Sequence, residues 1–233
     1  MSISVCMTTY NGEKYLKEQL DSILVQLSAY DEVIIGDDGS TDSTLDIVNS
    51  YNDSRIKFFK NSFQNLILNF EFTLKQAKGD YIFLADQDDI WLPCKINNCI
   101  EDLQEYDVVV SNCRVVNENL EVINESFFEL NKSKSGLISN LIKNSYLGCC
   151  LAFKRELLSK VLPFPEKLPM HDIWIGFVSE IFFKTKFNSK PMLLYRRHGN
   201  NESATAERSP YNFVKKLSFR IRILKNIVSL YKK

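Results

Sequence analysis

An apolar run rich in β-forming residues, Tyr81 to Ala85, breaks off into three carboxylates within four residues, Asp86-Gln87-Asp88-Asp89, followed by Ile90-Trp91. A short continuous apolar run is the mark of a strand buried on both faces, as in a parallel sheet. Ligands of open α/β sheets bind just beyond the carboxyl ends of such strands. Carboxylates crowded there repel one another unless a cation sits among them, and hard oxygen ligands suit Mg2+ or Mn2+ better than zinc. A second reading of the same residues is a helix N-terminus, with Asp88 or Asp89 capping a helix that has Pro93 in its first turn. One cap does not need three acids.

The same design repeats upstream. Ile3-Ser4-Val5-Cys6-Met7 reads as a buried strand that stops in Thr8-Thr9-Tyr10-Asn11-Gly12, after which Tyr15, Leu16, Leu20, Ile23 and Leu24 recur at helical spacing. Glu32-Val33-Ile34-Ile35 is a second strand, ending in Gly36-Asp37-Asp38-Gly39-Ser40-Thr41-Asp42. Ser40 or Thr41 is placed to cap the helix that carries Leu45, Ile47 and Val48. Residues 56–59 read as a third strand, and a helix over about 66–77 ends at Gly79, a residue suited to the position just past a helix.

Beyond the acidic cluster the pattern predicts a helix over about 93–105 and a fifth strand at 107–111. Residues 114–146 read as a loop with one short helix near Leu137–Ile142, and 148–153 return to the sheet. Asp172 stands at the N-cap position of a helix carrying Ile173, Phe177, Val178, Ile181 and Phe182, and 192–197 form a last strand. Strands alternating with helices over the first hundred residues predict an α/β fold, a central mostly parallel sheet with helices on both faces. One rim of that sheet would gather Thr8, Tyr10, Asp37, Asp38, Asp86 and Asp88.

The 233 residues, 45% hydrophobic and 25% charged, suffice for one domain with a sizeable core. The formal charge is zero but uneven: seven of the 29 basic residues lie in 210–233, which contain no acid, leaving the body at about −7. This asymmetry points to an anionic surface as partner of the tail and argues against nucleic acid as partner of the body. The six cysteines show no two-residue metal or redox spacing and read as reduced core thiols. No leader precedes the first strand and no apolar run approaches ~18 residues, so the expected compartment is the cytosol, with the inner face of the cell membrane implied only if the tail is an anchor. In the tail, Phe213, Leu217, Ile221, Leu224, Val228 and Tyr231 form a continuous helical stripe, with Phe219, Ile223 and Leu230 as a second flank. Two readings stand open: a basic interfacial anchor on anionic lipid, or a helix packed on the domain with a solvated basic face.

Taken in order, five motifs resemble a bacterial family 2 glycosyltransferase of the GT-A nucleotide-diphospho-sugar transferase fold, and most closely its rhamnosyltransferase-like branch. They are Thr8-Thr9-Tyr10-Asn11-Gly12, Asp37-Asp38-Gly39-Ser40-Thr41-Asp42, Asp86-Gln87-Asp88-Asp89-Ile90-Trp91, His171-Asp172-Ile173-Trp174 and Tyr195-Arg196-Arg197-His198-Gly199-Asn200-Asn201. The resemblance implies a transferase domain over 1–209 followed by the basic helix of 210–233. It implies a donor pocket of Thr8, Tyr10, Asn11, Asp37, Asp38 and Asp86, with Asp37 accepting a hydrogen bond from a pyrimidine base. Asp88, with His198, would hold Mg2+ or Mn2+, and Asp172 would be the general base. The implied reaction is inverting transfer from a nucleotide-diphosphate sugar, dTDP-rhamnose or a UDP-sugar, to a lipid-linked glycan acceptor in surface polysaccharide synthesis. A sugar-phosphate nucleotidyltransferase would carry a glycine-rich, basic phosphate loop where Thr8–Gly12 stand, and a dehydrogenase would carry G-x-G-x-x-G after a strand. Neither motif is present. A non-catalytic sugar-nucleotide-binding or scaffold protein of the same fold is the alternative.

Overall fold

The structure, a computed structural model, describes residues 1–199, 201 and 213–230. In chain order its elements are β1 (Ile3–Thr9), α1 (Leu16–Leu24), β2 (Glu32–Asp37), α2 (Thr44–Ser50), β3 (Ile56–Lys60), α3 (Leu66–Gln76) and β4 (Tyr81–Ala85). There follow β5 (Ile90–Trp91), α4 (Lys95–Glu105), β6 (Val108–Val116), β7 (Val122–Asn124), α5 (Phe127–Asn131) and α6 (Leu137–Ile142). The chain continues through β8 (Leu151–Lys154), α7 (Leu158–Val161), α8 (His171–Phe182), β9 (Thr185–Arg196) and α9 (Phe213–Leu230).

One sheet runs in the order β3-β2-β1-β4-β8-β6-β9-β5, with β7 paired to β6. Its first half, β3-β2-β1-β4, is parallel throughout. Beyond β4 the pairing is mixed: β8 is antiparallel to both β4 and β6, β9 is parallel to β6, and β5 is antiparallel to β9. The parallel half is where helices separate successive strands, because a parallel return needs a crossover. Strand pleating sends alternate side chains to two cores. Val5, Met7, Val33, Ile35, Phe83 and Ala85 join one, covered by Leu16, Leu20 and Ile23 of α1 and Ile96, Cys99 and Leu103 of α4. Cys6, Ile34, Ile82 and Leu84 join the other, covered by Phe70 and Leu74 of α3 and Trp174, Ile175 and Val178 of α8. Helices therefore lie on both faces, and both tryptophans are buried.

Several local expectations are corrected. Ser40 and Thr41 do not cap the second helix; α2 starts at Thr44 after Ser43, while the Ser40 hydroxyl donates to Asp37. Nor do Asp88 and Asp89 cap a helix. Ile90 and Trp91 form β5 against β9, Cys94 turns the chain with φ 77°, and α4 begins at Lys95 without a side-chain cap. Residues 148–150 form a 3-10 turn rather than strand. Asp172 is the second residue of α8, which is preceded by Met170, so it lies in the first turn rather than at the N-cap. Gly79 does not close α3, which stops at Gln76 with Ala77 extended. It serves packing instead: its N–H donates to Ser4 Oγ at 2.8 Å, and an added Cβ would stand 2.5 Å from the backbone nitrogen of Ser4.

The tail helix docks on the second core, but with a different face from the one the longer sequence stripe suggested. Ile223 and Ile227 are buried and Leu230 packs against the same cluster, whereas Ile221, Leu224 and Val228 are exposed. The side chains of Phe213, Leu217 and Tyr231 fall outside the described set. Arg222 donates to the Lys167 carbonyl at 2.7 Å and Arg220 to the Ile142 carbonyl at 2.6 Å, one on each side of the seam.

The Gly79 contact gives a direct test. Because the atom in the way is backbone, Gly79→Ala is expected to destabilise the protein by about 2–3 kcal/mol in urea unfolding; a loss below about 0.5 kcal/mol, the range of ordinary surface changes, would show that the approach of 79 to β1 is not tight.

Candidate active site

The parallel register brings the C-terminal ends of β1, β2 and β4 to one rim, with Thr9 opposite Asp37 and Met7 opposite Ala85. Two loops there are interlocked. Asn11, at φ 47° in the left-handed region that asparagine tolerates, donates its N–H to Ser40 Oγ at 2.8 Å and accepts from Thr41 N at 2.9 Å. Gly12 N–H donates to Thr44 Oγ1, Glu13 N–H to Asp42, and Ser43 N–H to Glu13, at 2.8, 2.9 and 3.0 Å. Asp37 is the hub: its carboxylate accepts from Thr9 Oγ1, Ser40 Oγ and the N–H groups of Gly39 and Ser40. Asp38 accepts from the N–H groups of Gln64 and Asn65 at 2.9 and 2.7 Å. Asn11, Asp37 and Asp38 thus shape the rim through internal bonds. Thr8 is buried at the end of β1, and Tyr10 stands exposed beside it.

Gln87 fastens this rim to the acidic loop. Its Oε1 accepts from Tyr10 N at 2.9 Å and its Nε2 donates to the Tyr10 carbonyl at 3.1 Å. A Cβ on Gly12 would lie 2.5 Å from that Oε1, so a side chain there would push the Gln87 amide off Tyr10. Behind the loop, buried Gln19 of α1 donates to the Asp86 carbonyl at 2.8 Å.

The β5–β9 pairing, Ile90 opposite Leu194, returns the distant segment 196–201 to the three acids. Asp88 Oδ2 lies 2.8 Å from His198 Nε2 and accepts from Asn201 Nδ2 at 3.2 Å. The His198 ring stacks on Tyr15 with centroids 4.9 Å apart. Arg196, buried, donates from its backbone to Asp89 Oδ1 at 3.0 Å and from Nε to the Asp88 carbonyl at 2.9 Å. Its Nη1 reaches the Glu118 carbonyl, its Nη2 pairs with Glu18 at 2.5 Å, and its guanidinium covers the Tyr15 ring at 4.4 Å. Asp89 is fully buried, and its Oδ2 has no hydrogen-bond partner among the described residues. Ligand atoms of Asp86, Asp89 and Cys149 all lie within 4.8 Å of one another.

Asp172 closes the cluster from α8. Its Oδ1 accepts the Ile173 N–H at 2.6 Å, and the Gly148 N–H also donates to it. Gly148 precedes Cys149, so the base candidate and the acidic loop share one backbone support. A Cβ at Gly148 would lie 2.9 Å from His171 Nε2. Burial pushes Asp172 up to about 7. Asp86 is likewise pushed up to about 7, by burial first and then by the charges of Asp88 and Asp172. Burial, and then the charges of Asp88 and Asp86, raise Asp89 well above the carboxylate range. His171 stacks on Phe70 with centroids 3.8 Å apart, and burial lowers it to about 3, so near pH 7 the imidazole is neutral, with one ring N–H and no charge.

Asp86, Asp88, Asp172 and His198 therefore meet around one place, with Thr8, Tyr10, Asn11, Asp37 and Asp38 on the adjoining rim. Sequence reading missed the parts that hold them. Gln19 and Gly148 act through their placement, which no local pattern encodes, and Gln87 and Asn201, inside the motifs, carry no role of their own in the sequence. Buried Lys95, which donates to the Cys149 carbonyl at 2.7 Å and lies 4.7 Å from the Trp91 ring centroid, looks in sequence like an ordinary surface helix residue. Arg196 lay within a noted motif, yet only the β5–β9 pairing shows what it touches.

A model of glycosyl transferase family 2 matches residues 4–162. An uncharacterized glycosyltransferase of Nostoc sp. is 30% identical over 220 residues, covering 88% of this chain and 68% of the relative. The dTDP-rhamnosyl transferase of Shigella flexneri is 30% identical over 215 residues, covering 84% and 73%. The solved structure of S. aureus TarS, residues 1–349, in complex with UDP-GlcNAc superposes with a TM-score of 0.75 at 24% identity, covering 97% of this chain and 67% of that one.

The raised Asp172 fixes the sign of a stability difference. A carboxyl with a folded pKa above its unfolded value stabilises the fold fully below about pH 4, and loses that contribution as pH rises through about 7. Asp172→Asn, neutral at all pH, is expected to gain stability relative to the wild type across that window, read as melting temperature in the presence of chelator. A difference that stays flat or shrinks with rising pH would contradict the assignment.

Proposed function

Since this chain belongs to glycosyl transferase family 2, we propose that it transfers a sugar from a nucleoside-diphosphate donor to a glycan acceptor with inversion, in bacterial surface polysaccharide synthesis. The observation that carries this reading is the meeting of Asp172, buried and raised to about 7, with Asp86, whose own proton affinity rises partly from the Asp172 charge. The Shigella relative is named for dTDP-rhamnose and the TarS complex holds UDP-GlcNAc. Both are pyrimidine nucleoside diphosphates, and we take the donor to be of that class, lying along the rim from Thr8 and Tyr10 to Asp86.

The acceptor hydroxyl attacks the anomeric carbon while its proton passes to a carboxylate oxygen of Asp172. The bond from that carbon to the β-phosphate oxygen breaks, and the nucleoside diphosphate leaves with the electron pair. A base whose pKa lies near working pH is well matched to such a transfer, a contribution typically worth ~10²–10⁴-fold. The Gly148 and Ile173 N–H groups orient the carboxylate. No covalent intermediate is needed.

The residues present fit a divalent cation. Asp88 Oδ2 and His198 Nε2 face each other at 2.8 Å, a carboxylate oxygen and an imidazole nitrogen that would both be available to a cation placed beside them. The orphaned buried oxygen of Asp89 and the raised Asp86 are what a site short of positive charge produces. Asp88 and His198 would hold the ion, with Asp86 beside it, and the carboxylate oxygens suit Mg2+ or Mn2+. When bound, the cation neutralises charge developing on the departing diphosphate.

A donor screen read by nucleoside-diphosphate release tests the reading. Asp172→Asn is expected to lower kcat by about a hundredfold or more with little change in donor KM. Asp88→Asn is expected to raise the Mn2+ concentration needed for half-maximal rate by about tenfold or more. Release indifferent to both the cation and the Asp172 substitution would refute the assignment.

A further inference from the structure

Two exposed apolar helix faces lie side by side in this molecule, and both come from stretches free of acids. On α9, Ile223, Ile227 and Leu230 share the face turned to the core, while Ile221, Leu224 and Val228 share another about 130° around the helix. The outward three are 46%, 40% and 56% exposed. On α6, Ile138 and Ile142, one helical turn apart, are 75% and 70% exposed. The Arg220 guanidinium, between the two faces of α9, donates to the Ile142 carbonyl, which puts α6 on the flank of α9 that carries Leu224. Residues 130–143 contain Lys132, Lys134 and Lys143 and no acid, and 210–233 contain seven basic residues and no acid. Lys143 and Lys225 are exposed at the edges of the patch.

We propose that α6 and α9 together form a docking surface for an anionic lipid bilayer. Among the described residues the exposed charges of these two stretches, Lys132, Lys134, Lys143 and Lys225, are all positive, so two copies of the chain meeting through this face would bring like charges together. An anionic, partly apolar surface satisfies both components at once. No described helix is long and apolar enough to cross a membrane, so the contact is interfacial. Gly136, just before α6, donates to Glu180 in the last turn of α8, and the chain leaving α6 runs on to Gly148, whose N–H meets Asp172 in the first turn of that helix. Resting on the glycosyl transfer proposed above, such a contact brings the enzyme to the surface that holds a lipid-linked acceptor.

The full chain is to be floated with vesicles of phosphatidylcholine alone or with phosphatidylglycerol added. Flotation is expected only with the anionic vesicles and is expected to weaken as salt is raised. The triple variant Ile221→Ser, Leu224→Ser, Val228→Ser and the double variant Ile138→Ser, Ile142→Ser are each expected to reduce partitioning by about tenfold or more. Because all five side chains are exposed, the melting temperature should hold and serve as the folding control. A wild-type chain that ignores anionic vesicles, or variants that float as the wild type does, would overturn the proposal. So would a dimer in sedimentation that the variants dissolve while vesicles are ignored, since that assigns the face to a second copy. Flotation needs neither donor nor acceptor. Asp172→Asn should float unchanged, so a failure of the transfer reading leaves this result standing and the reverse also holds.

Discussion

The structure depends on keeping several carboxylates together at the end of a buried strand. Asp86, Asp88 and Asp89 follow β4 within four residues, and Asp172 adds a fourth acid from α8. Burial first, and then the charges of their neighbours, push Asp86 and Asp89 toward the protonated form. What keeps the arrangement from opening is supplied from far along the chain. The backbone and guanidinium of Arg196 clamp the loop from one side, and Gln19 and Gln87 tie it to α1 and to the end of β1. A loop bearing this much charge would be poorly ordered by local preferences alone, so its shape rests on these long-range bonds.

That dependence explains the sheet's second half. The parallel strands β3-β2-β1-β4 suffice to make a rim, but they leave the acidic loop facing nothing. The mixed strands β8, β6 and β9 extend the sheet until β5 can pair with β9, and that pairing carries Arg196 and His198 to Asp88 and Asp89. The turn before β8 performs the matching task for Asp172, whose carboxylate takes the Gly148 N–H while Cys149 reaches the Asp86–Asp89 pair. Packing and chemistry are joined at these two points, since a shift of β8 or β9 moves both a core strand and a site residue.

The alternation of apolar runs with helical periods made the first four strands, three of the intervening helices and the acidic rim legible, because buried parallel strands have a local signature. The tail helix was legible too, but its orientation was not. The stripe through Ile221, Leu224 and Val228 is the more regular in sequence, yet Ile223 and Ile227 are the residues buried. Periodicity reports that a helix has an apolar side and cannot say which of two such sides meets the domain when α6 and α8 are already in place. Gly79 shows the same limit, for a glycine past a helix reads as a terminator and here permits contact with Ser4.

By itself the sequence determined the fold class and the residue types at the site, since strand and helix periods and crowded acids are properties of neighbours along the chain. It also determined the charge division between body and tail. Only the tertiary structure decided that Asp88 meets His198, that burial raises Asp172 until its carboxyl can hold a proton near neutral pH, and that the same burial keeps His171 uncharged. It likewise decided that Asn11, Asp37 and Asp38 build the rim by bonding to it. The physical reason is that proton affinity and hydrogen-bond partnership depend on burial and on groups a hundred residues away, and those are set when β9 and α8 close on the sheet.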